Sequence, residues 1–496
     1  MATGTGDERG ATRARSLLAL TTLLALSGAG CESILGIEDI APCWDPAGFE
    51  GRGCYREGGG CKLTKEQIPN ACTTSPCIPF DNEARLGIAT AEDLPLLEGP
   101  LGSGGGGAGG SGGSGGGAGL PSCESLSGSR VLVVGSNAIL PILSALGADL
   151  AANQAPIHAL YQRMSSCDGA KAIVEDTLVS GVVQHWTRVG NEIVEDECIL
   201  SAETPADIGT SDVFAGTCGL PEGKSGIVDA QGPIQAMIFV TPISSAERSV
   251  SAEAARLVYG YGGTHQSFQA DPWTDPSHIL RRDPASGTQN LIGAFIGVHS
   301  TRFEGAALAN TQAMIDSIKA TPAGEASATI GILDVVNIDD ERGSLRALAF
   351  QAKGQTCAFL PDADKDGADK RNVRDGHYTL WGPIHVFSRA GAGEETRALA
   401  EYLTLARAPG ALDQQEANMK ALLKIVADGS LVPQCAMQVR RLSDGGGLQP
   451  NVPERSCACY FDQIRTGAND CEPCTKQEDC QSADAPQCNY GFCERQ

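Results

Sequence analysis

Apolar runs alternate with segments of helical spacing between residues 123 and 445. The run 129–136 (SRVLVVGS) predicts a buried strand, and apolar residues three or four positions apart predict a helix directly after it. The predicted strands are 129–136, 156–162, 206–213, 233–242, 328–336 and 379–387, and the predicted helices are 137–153, 169–181, 288–298, 394–406 and 414–428. This alternation favours an α/β fold built mainly on parallel sheets, which bind ligands at the carboxyl ends of their strands.

A glycine- and serine-rich stretch, residues 101–120, interrupts the chain before this region. Its composition cannot bury a core, so we expect a flexible linker with a root-mean-square span of roughly 25 Å. The linker would separate a cysteine-containing N-terminal module (32–100) from the main domain (121–445). A second cysteine-rich module is expected at 446–496.

Residues 1–30 have the pattern of an export signal. Arginines precede an apolar run that is too short to span a bilayer, and small residues follow it up to Cys31. The segment is similar to a lipoprotein signal peptide, which implies lipidation of Cys31 and a lipid anchor in the cell envelope, on the periplasmic or the outer, surface-facing side. An ordinary cleaved signal with an incidental cysteine is the alternative. No later stretch is long and apolar enough to predict a transmembrane helix.

Nineteen cysteines in an exported chain predict disulfides, and eighteen remain once Cys31 is set aside. One partition pairs Cys123 within the N-terminal block and Cys435 within the C-terminal block. It leaves four cysteines for the central domain: Cys167, Cys198, Cys218 and Cys357. Close spacings such as Cys471 to Cys474 also suit zinc, but neither end block contains a histidine, so we favour disulfides. The net charge of −23 argues against a nucleic-acid partner.

Three predicted strand-to-helix turns carry groups that bind anions. The turn Ser286, Gly287, Thr288 offers free backbone N–H groups and hydroxyls at a helix N-terminus, and Arg282 adds a charged fork. The other two turns hold Ser136, Asn137 and Ala138 after the first strand, and Ser166 after the second. Simple helix capping uses the same residue types and is the alternative.

The order of these motifs resembles the substrate-binding lipoprotein family of phosphate ABC transporters, which has the two-lobed type 2 periplasmic-binding-protein fold. The segment RDPASGT is similar to the family's anion loop, and DIGTSDV is similar to a segment that ends in the ligand-binding pair Ser211 and Asp212. The second loop departs from the family pattern, because Cys167 and Asp168 replace small residues there. A disulfide would hold Cys167 away, whereas Asp168 would repel an anion unless it points elsewhere.

The resemblance implies an envelope lipoprotein that closes on a small oxyanion, phosphate before others, and it offers an ABC permease as a candidate partner. Asp212 would then accept a hydrogen bond from the O–H group of hydrogen phosphate, a group that sulfate lacks at neutral pH. We do not predict an enzyme, since the seven histidines are scattered and no nucleophile lies in a recognisable motif. A surface interaction protein that keeps the fold without a ligand, and an anion-processing hydrolase, are the alternatives.

An acidic segment, residues 362–373, is a candidate calcium loop. Asp362, Asp364 and Asp366 alternate before Gly367, as calcium ligands do. The twelfth position is Val373 instead of the usual glutamate, so a solvated acidic loop is the alternative.

Overall fold

The computed structural model describes residues 44–45, 48, 53–57, 62–88, 93–97, 119–265 and 268–495. Residues 1–31, with the predicted signal and Cys31, lie outside the described residues, as does the predicted linker up to residue 118. The chain forms two compact units, residues 1–64 and 65–496. In the first, Trp44–Asp45 pairs with Cys54–Tyr55 as a short antiparallel ladder. The remaining described elements belong to the second unit.

A nine-stranded mixed sheet forms the centre of the second unit. Its strands are β1 Ser129–Gly135, β2 Ile157–Arg163, β3 Leu178–Val189, β4 Glu192–Pro205, β5 Ile208–Ser211, β6 Ile227–Pro242, β7 Gly331–Asp334, β8 Leu345–Ala347 and β9 Trp381–Arg389. They lie in the order β7-β6-β9-β5-β1-β2-β3-β4, and β8 also pairs with β6. Only the β1–β2 and β1–β5 pairs of this sheet are parallel.

Helices cover both faces of this sheet. The described helices of the second unit are α1 Asn82–Leu86, α2 Leu140–Ala151, α3 Ser166–Val174, α4 Ala252–Tyr261, α5 Gly287–Ile296, α6 Thr311–Lys319, α7 Val335–Glu341, α8 Arg371–Arg374, α9 Glu394–Leu403, α10 Gln415–Asp428 and α11 Ala458–Thr466. One apolar cluster joins α2, α9 and α10 to one face of β1, and a second joins α3 to the other face. Strand β1 is therefore buried on both sides, as its apolar run predicts.

Two long strands connect the two lobes of this unit. Strands β6 and β9 pair antiparallel from Trp381 opposite Ala236 to Arg389 opposite Ile227, with an irregularity between Pro383 and His385. Lobe A contains β1 to β5 with α2, α3, α9 and α10, whereas lobe B contains β7 and β8 with α4 to α7. The predicted two-lobed α/β fold is confirmed.

The sheet differs from the sequence-based expectation in two respects. It is mixed and not mainly parallel, because β6 and β9 run antiparallel between the lobes. The helix predicted at 169–181 ends at Val174, and residues 178–205 instead form the β3–β4 hairpin. Residues 178–189 contain four valines, whose branched side chain favours strands.

Seven disulfides join cysteines among the described residues: Cys77–Cys357, Cys123–Cys198, Cys167–Cys218, Cys435–Cys457, Cys459–Cys471, Cys474–Cys488 and Cys480–Cys493. The disulfide interpretation is confirmed, and the C-terminal block closes on itself as expected. The rest of the partition is wrong in part, because Cys123 pairs within the central domain and Cys77 pairs across to Cys357. Sequence spacing cannot show which distant segments meet in space.

The segment after Lys65 is part of the second unit and not of a separate N-terminal module. Besides the Cys77–Cys357 bond, the Phe80 N–H donates to the Gln351 side chain at 3.0 Å, and the Phe80 ring stacks on Trp273. These contacts attach residues 65–88 to lobe B, which moves the boundary well N-terminal of the predicted linker. At the other end, α11 packs on α10, so the C-terminal module is also attached to the domain.

A search of the described helices found none with the length and apolar content that crossing a membrane requires.

Candidate functional site

Three strands of lobe A end at one edge of the sheet. Gly135 of β1 lies opposite Arg163 of β2 and opposite Thr210 of β5, so the carboxyl ends of these parallel strands are level. Each strand runs directly into a polar turn, which brings together Ser136, Ser166 and Asp212 from distant parts of the sequence.

Asp212 lies at the centre of this edge and is only 7% exposed. The Ser136 hydroxyl donates to Asp212 Oδ1 at 2.5 Å, and the Ser166 hydroxyl donates to Asp212 Oδ2 at 3.0 Å. Burial raises the pKa of Asp212 from 3.8 to about 6, although the two serine hydrogen bonds lower it. Burying the charged carboxylate therefore costs stability, and the two serine hydroxyls hold it in one position.

Helix α5 of lobe B points its N-terminus at this carboxylate. A methyl group built on Gly287 would lie 2.1 Å from Ser166 Oγ and 2.5 Å from Asp212 Oδ2, so the helix start touches both side chains. The Ser286 hydroxyl, at the N-cap, makes no capping bond to any described residue. Ser286 and Thr288 are buried, and the first N–H groups of any helix lack partners inside the helix. The start of α5, where backbone donors lack partners within the helix, thus lies next to Asp212.

Arg282 supplies positive charge beside this helix start. Its Nη1 donates to Thr311 Oγ1 at 2.9 Å, and its backbone N–H donates to the Gln289 side chain at 2.8 Å. Its Nε is buried and has no partner among the described residues. Burial lowers the pKa of Arg282, and the charges of Asp334, Asp283 and Asp212 oppose this effect.

Asp334 is a second buried carboxylate near the site, and the sequence analysis missed it. It ends β7 and caps α7, where it accepts from the Asn337 N–H at 3.0 Å. Burial raises its pKa, whereas the bonds to Asn337 and the charge of Arg282 lower it. An aspartate placed between an apolar strand and a helix is typical of an N-cap, so its sequence gives no sign of a ligand-binding role.

The other predicted site residues take different positions. The Ser211 hydroxyl donates to the Val213 carbonyl at 2.8 Å, so it stabilises the turn and does not bind Asp212. The Ala138 N–H donates to Ser136 Oγ at 3.2 Å, and Asn137 begins the 3₁₀ turn that follows β1. The two departures from the family pattern are also accommodated: Cys167 is in a disulfide, and Asp168 accepts from Ser165 Oγ at 2.6 Å.

The candidate calcium loop forms ion pairs within the protein. Asp362 contacts Lys370 Nζ at 3.0 Å and Arg342 Nη2 at 2.7 Å, and Asp364 accepts from the Asp366 N–H at 2.8 Å. Within the described residues, these three carboxylates do not form a group close enough to share an ion. The calcium site stays a prediction that this geometry does not favour.

The closeness of Gly287 to Asp212 gives a direct test of the site. We expect Gly287→Ala to weaken anion binding by roughly 1–3 kcal/mol, because the new methyl group would displace Ser166 or Asp212. The melting temperature should also fall, because overpacking a buried contact destabilises the folded protein, so affinity is compared well below the transition. Gly324→Ala is the control, because a methyl group at Gly324 meets open space. Calorimetry checks both variants, and equal affinities would show that α5 does not approach the ligand.

Comparison of structures found similar proteins, whereas comparison of sequences found none. No family model matches the chain, and no curated protein matches it. A putative phosphate ABC transporter substrate-binding protein from Clostridium perfringens, solved with bound phosphate, covers 62% of this chain and 99% of its own, at 12% identity and a TM-score of 0.42. An ABC-type phosphate transport receptor from Vibrio cholerae covers 62% and 100%, at 12% identity and a TM-score of 0.39.

PstS from Borrelia burgdorferi also covers 62% of this chain and 98% of its own, at 12% identity and a TM-score of 0.35. The proteins from Clostridium and Vibrio are described as phosphate transport proteins, as the sequence motifs led us to expect. Likenesses of this strength do not identify a ligand, which has to be inferred from the chemistry of the site itself.

Proposed function

We propose that this domain binds a small protonated oxyanion, hydrogen phosphate before others, between its two lobes. One observation carries the proposal: a buried carboxylate, Asp212, lies against the N-terminus of α5 from the opposite lobe. Anion-binding N–H groups and a hydrogen-bond acceptor therefore meet at one point, with Arg282 beside them.

The charges at this point determine which anion fits. The N-terminus of α5 and Arg282 attract negative charge, whereas Asp212 and Asp334 repel it. A fully deprotonated anion such as sulfate would leave Asp212 without a hydrogen bond from the ligand. Hydrogen phosphate and hydrogen arsenate carry an O–H group that can donate to Asp212, which turns the repulsion into a charge-assisted hydrogen bond. The site thus favours a protonated oxyanion.

We also propose that the protein is exported and anchored in the cell envelope through lipid on Cys31. The seven disulfides among the described residues support an oxidising compartment, and the apolar signal before Cys31 supports the anchor. The likeness to transport proteins suggests that the bound anion is delivered to an ABC permease. Nothing in the described site requires such a partner.

A thermal-shift screen of the full mature chain tests the proposed function. Phosphate and arsenate should raise the melting temperature at neutral pH, and sulfate and nitrate should not. A shift of equal size with sulfate would contradict the role of Asp212. No shift with any anion would overturn the proposal and favour an interaction protein that keeps the fold without a ligand, and turnover of phosphate esters would point to a hydrolase instead.

A further inference from the structure

A short hairpin near the C-terminus reaches both lobes. Val439–Arg440 pairs antiparallel with Gln449–Pro450, and the loop between them begins at Arg441. We call residues 441–445 the latch loop. Arg441 is buried and Asp444 is half-buried, whereas Leu442 between them is 63% exposed.

Asp444 fixes the latch loop to lobe A. Its Oδ2 accepts from the Phe214 N–H at 2.9 Å and from Thr217 Oγ1 at 2.6 Å. Phe214 follows Asp212 by two residues, and Thr217 lies in the 3₁₀ turn Ala215–Cys218. Cys218 is bonded to Cys167, the neighbour of Ser166. Asp444 therefore holds the same segment that carries the anion-site carboxylate.

The other contacts of the latch loop are with lobe B and the connecting strands. The Arg441 guanidinium lies 4.6 Å from the centre of the Phe295 ring on α5 and 4.0 Å from that of Trp381 on β9. Gly445 has a φ of +68°, and a methyl group there would lie 2.7 Å from the Ala294 carbonyl oxygen. The latch loop thus rests on α5, the helix whose N-terminus enters the anion site.

Three side-chain atoms of the latch loop have no hydrogen-bond partner among the described residues. Arg441 Nε, Arg441 Nη1 and Asp444 Oδ1 are buried and have no partner within the described part of the chain. Burial lowers the pKa of Arg441 to about 9 and raises the pKa of Asp444. Buried charged groups with unfilled bonding positions are costly, and exposure to water would fill them. This cost favours a loop that can be released.

We propose that residues 441–445 form a latch that holds the two lobes together beside the anion site. While Asp444 is bonded to Phe214 and Thr217, lobe A is tied to α5 of lobe B. Release of Asp444 frees the Asp212 segment from α5, and the cleft opens. The part of this proposal that concerns ligand release rests on the proposed function. The part that concerns opening of the two lobes does not.

Hydrogen exchange of the full, ligand-free chain tests the latch. Asp444→Ala should speed amide exchange about fivefold or more in two segments, 211–218 of lobe A and 286–290 of lobe B. Loss of the Asp444 bond alone would speed exchange only near Phe214, so the lobe B segment distinguishes opening from a local effect. Leu442→Ala is the matched control and should leave both segments unchanged. Asp444→Asn keeps an acceptor oxygen and should restore most of the protection.

The same variants separate this inference from the proposed function. In stopped-flow experiments, inorganic phosphate should leave Asp444→Ala about tenfold faster than the parent protein. If the parent binds no phosphate but the lobe B segment still loses protection, the proposed function fails and the latch stands. Unchanged exchange at 286–290 would overturn the latch. Should Asp444→Ala fail to fold, Thr217→Val removes a single bond, and it must show the same change at smaller size or the latch is refuted.

Discussion

Arg282→Ala should weaken phosphate binding by about 2–5 kcal/mol, which is at least thirtyfold in the dissociation constant. The guanidinium Nε is buried beside the start of α5 and has no partner among the described residues, so a bound anion is the group that would satisfy it. Removing the side chain takes away this donor and a positive charge that interacts with Asp334 and Asp212.

Arg281→Ala is the matched control for this variant. It removes the same charge from the adjacent position, but the Arg281 Nε donates to the Gly305 carbonyl at 3.1 Å, away from the site. We expect its phosphate affinity to stay within about threefold of the parent, since a partly screened charge contributes little. Calorimetric titration of both proteins measures the difference. Equal losses would mean that general charge, and not a contact from Arg282, attracts the anion.

Asp212→Asn should stabilise the ligand-free protein at neutral pH. Burial raises the pKa of Asp212 from 3.8 to about 6, so the folded protein keeps this proton at pH values where the unfolded chain has released it. The free energy of unfolding of the parent therefore falls by roughly 3 kcal/mol in all as the pH rises from about 3 to about 7, and stays lower above that. Asparagine does not ionise, so the variant escapes this loss.

Urea unfolding across this pH range checks the prediction. The variant should exceed the parent by up to about 3 kcal/mol at pH 7.5, and the gap should close near pH 3. Asp283→Asn, at an exposed position of the Arg282 loop, should change stability by less than about 0.5 kcal/mol. A gap that does not depend on pH would show that burial of the charge is not its cause.

The same substitution should change the ligand preference. Asparagine keeps the shape of Asp212 and adds an N–H donor, so sulfate gains a partner in place of a repelling carboxylate. Asp212→Asn should therefore bind sulfate more tightly than the parent does and lose its preference for phosphate. A more stable protein with a less selective site is what is expected when a buried charge is kept for function.

Local sequence patterns predicted much of the fold. The run 129–135 is apolar enough to be buried on both faces, and the helix expected at 288–298 is found as α5. The β3–β4 hairpin was missed because its first residues continue the apolar spacing of α3. The boundary before the main domain was misplaced because composition marks a linker but does not show that Cys77 pairs with Cys357.

The candidate site, like the fold, was predicted from the sequence only in part. Ser136, Ser166 and Gly287 lie in turns between predicted strands and helices, which predicted that they would meet, and the resemblance to the phosphate-binding family placed Asp212 with them. Asp334 and Asp444 could not be predicted, because their importance arises from burial against residues far away in the chain. An aspartate at a helix N-cap or in a glycine-rich loop is common, and only the fold shows which of them approach the anion site.

Calorimetric titration of the parent protein with phosphate and with sulfate, at neutral pH, tests the central claim most directly. We expect one phosphate per chain and no measurable heat of binding from sulfate, because only a protonated oxyanion can donate to Asp212. Equal binding of the two anions, or no binding of phosphate, would contradict the assignment of this site.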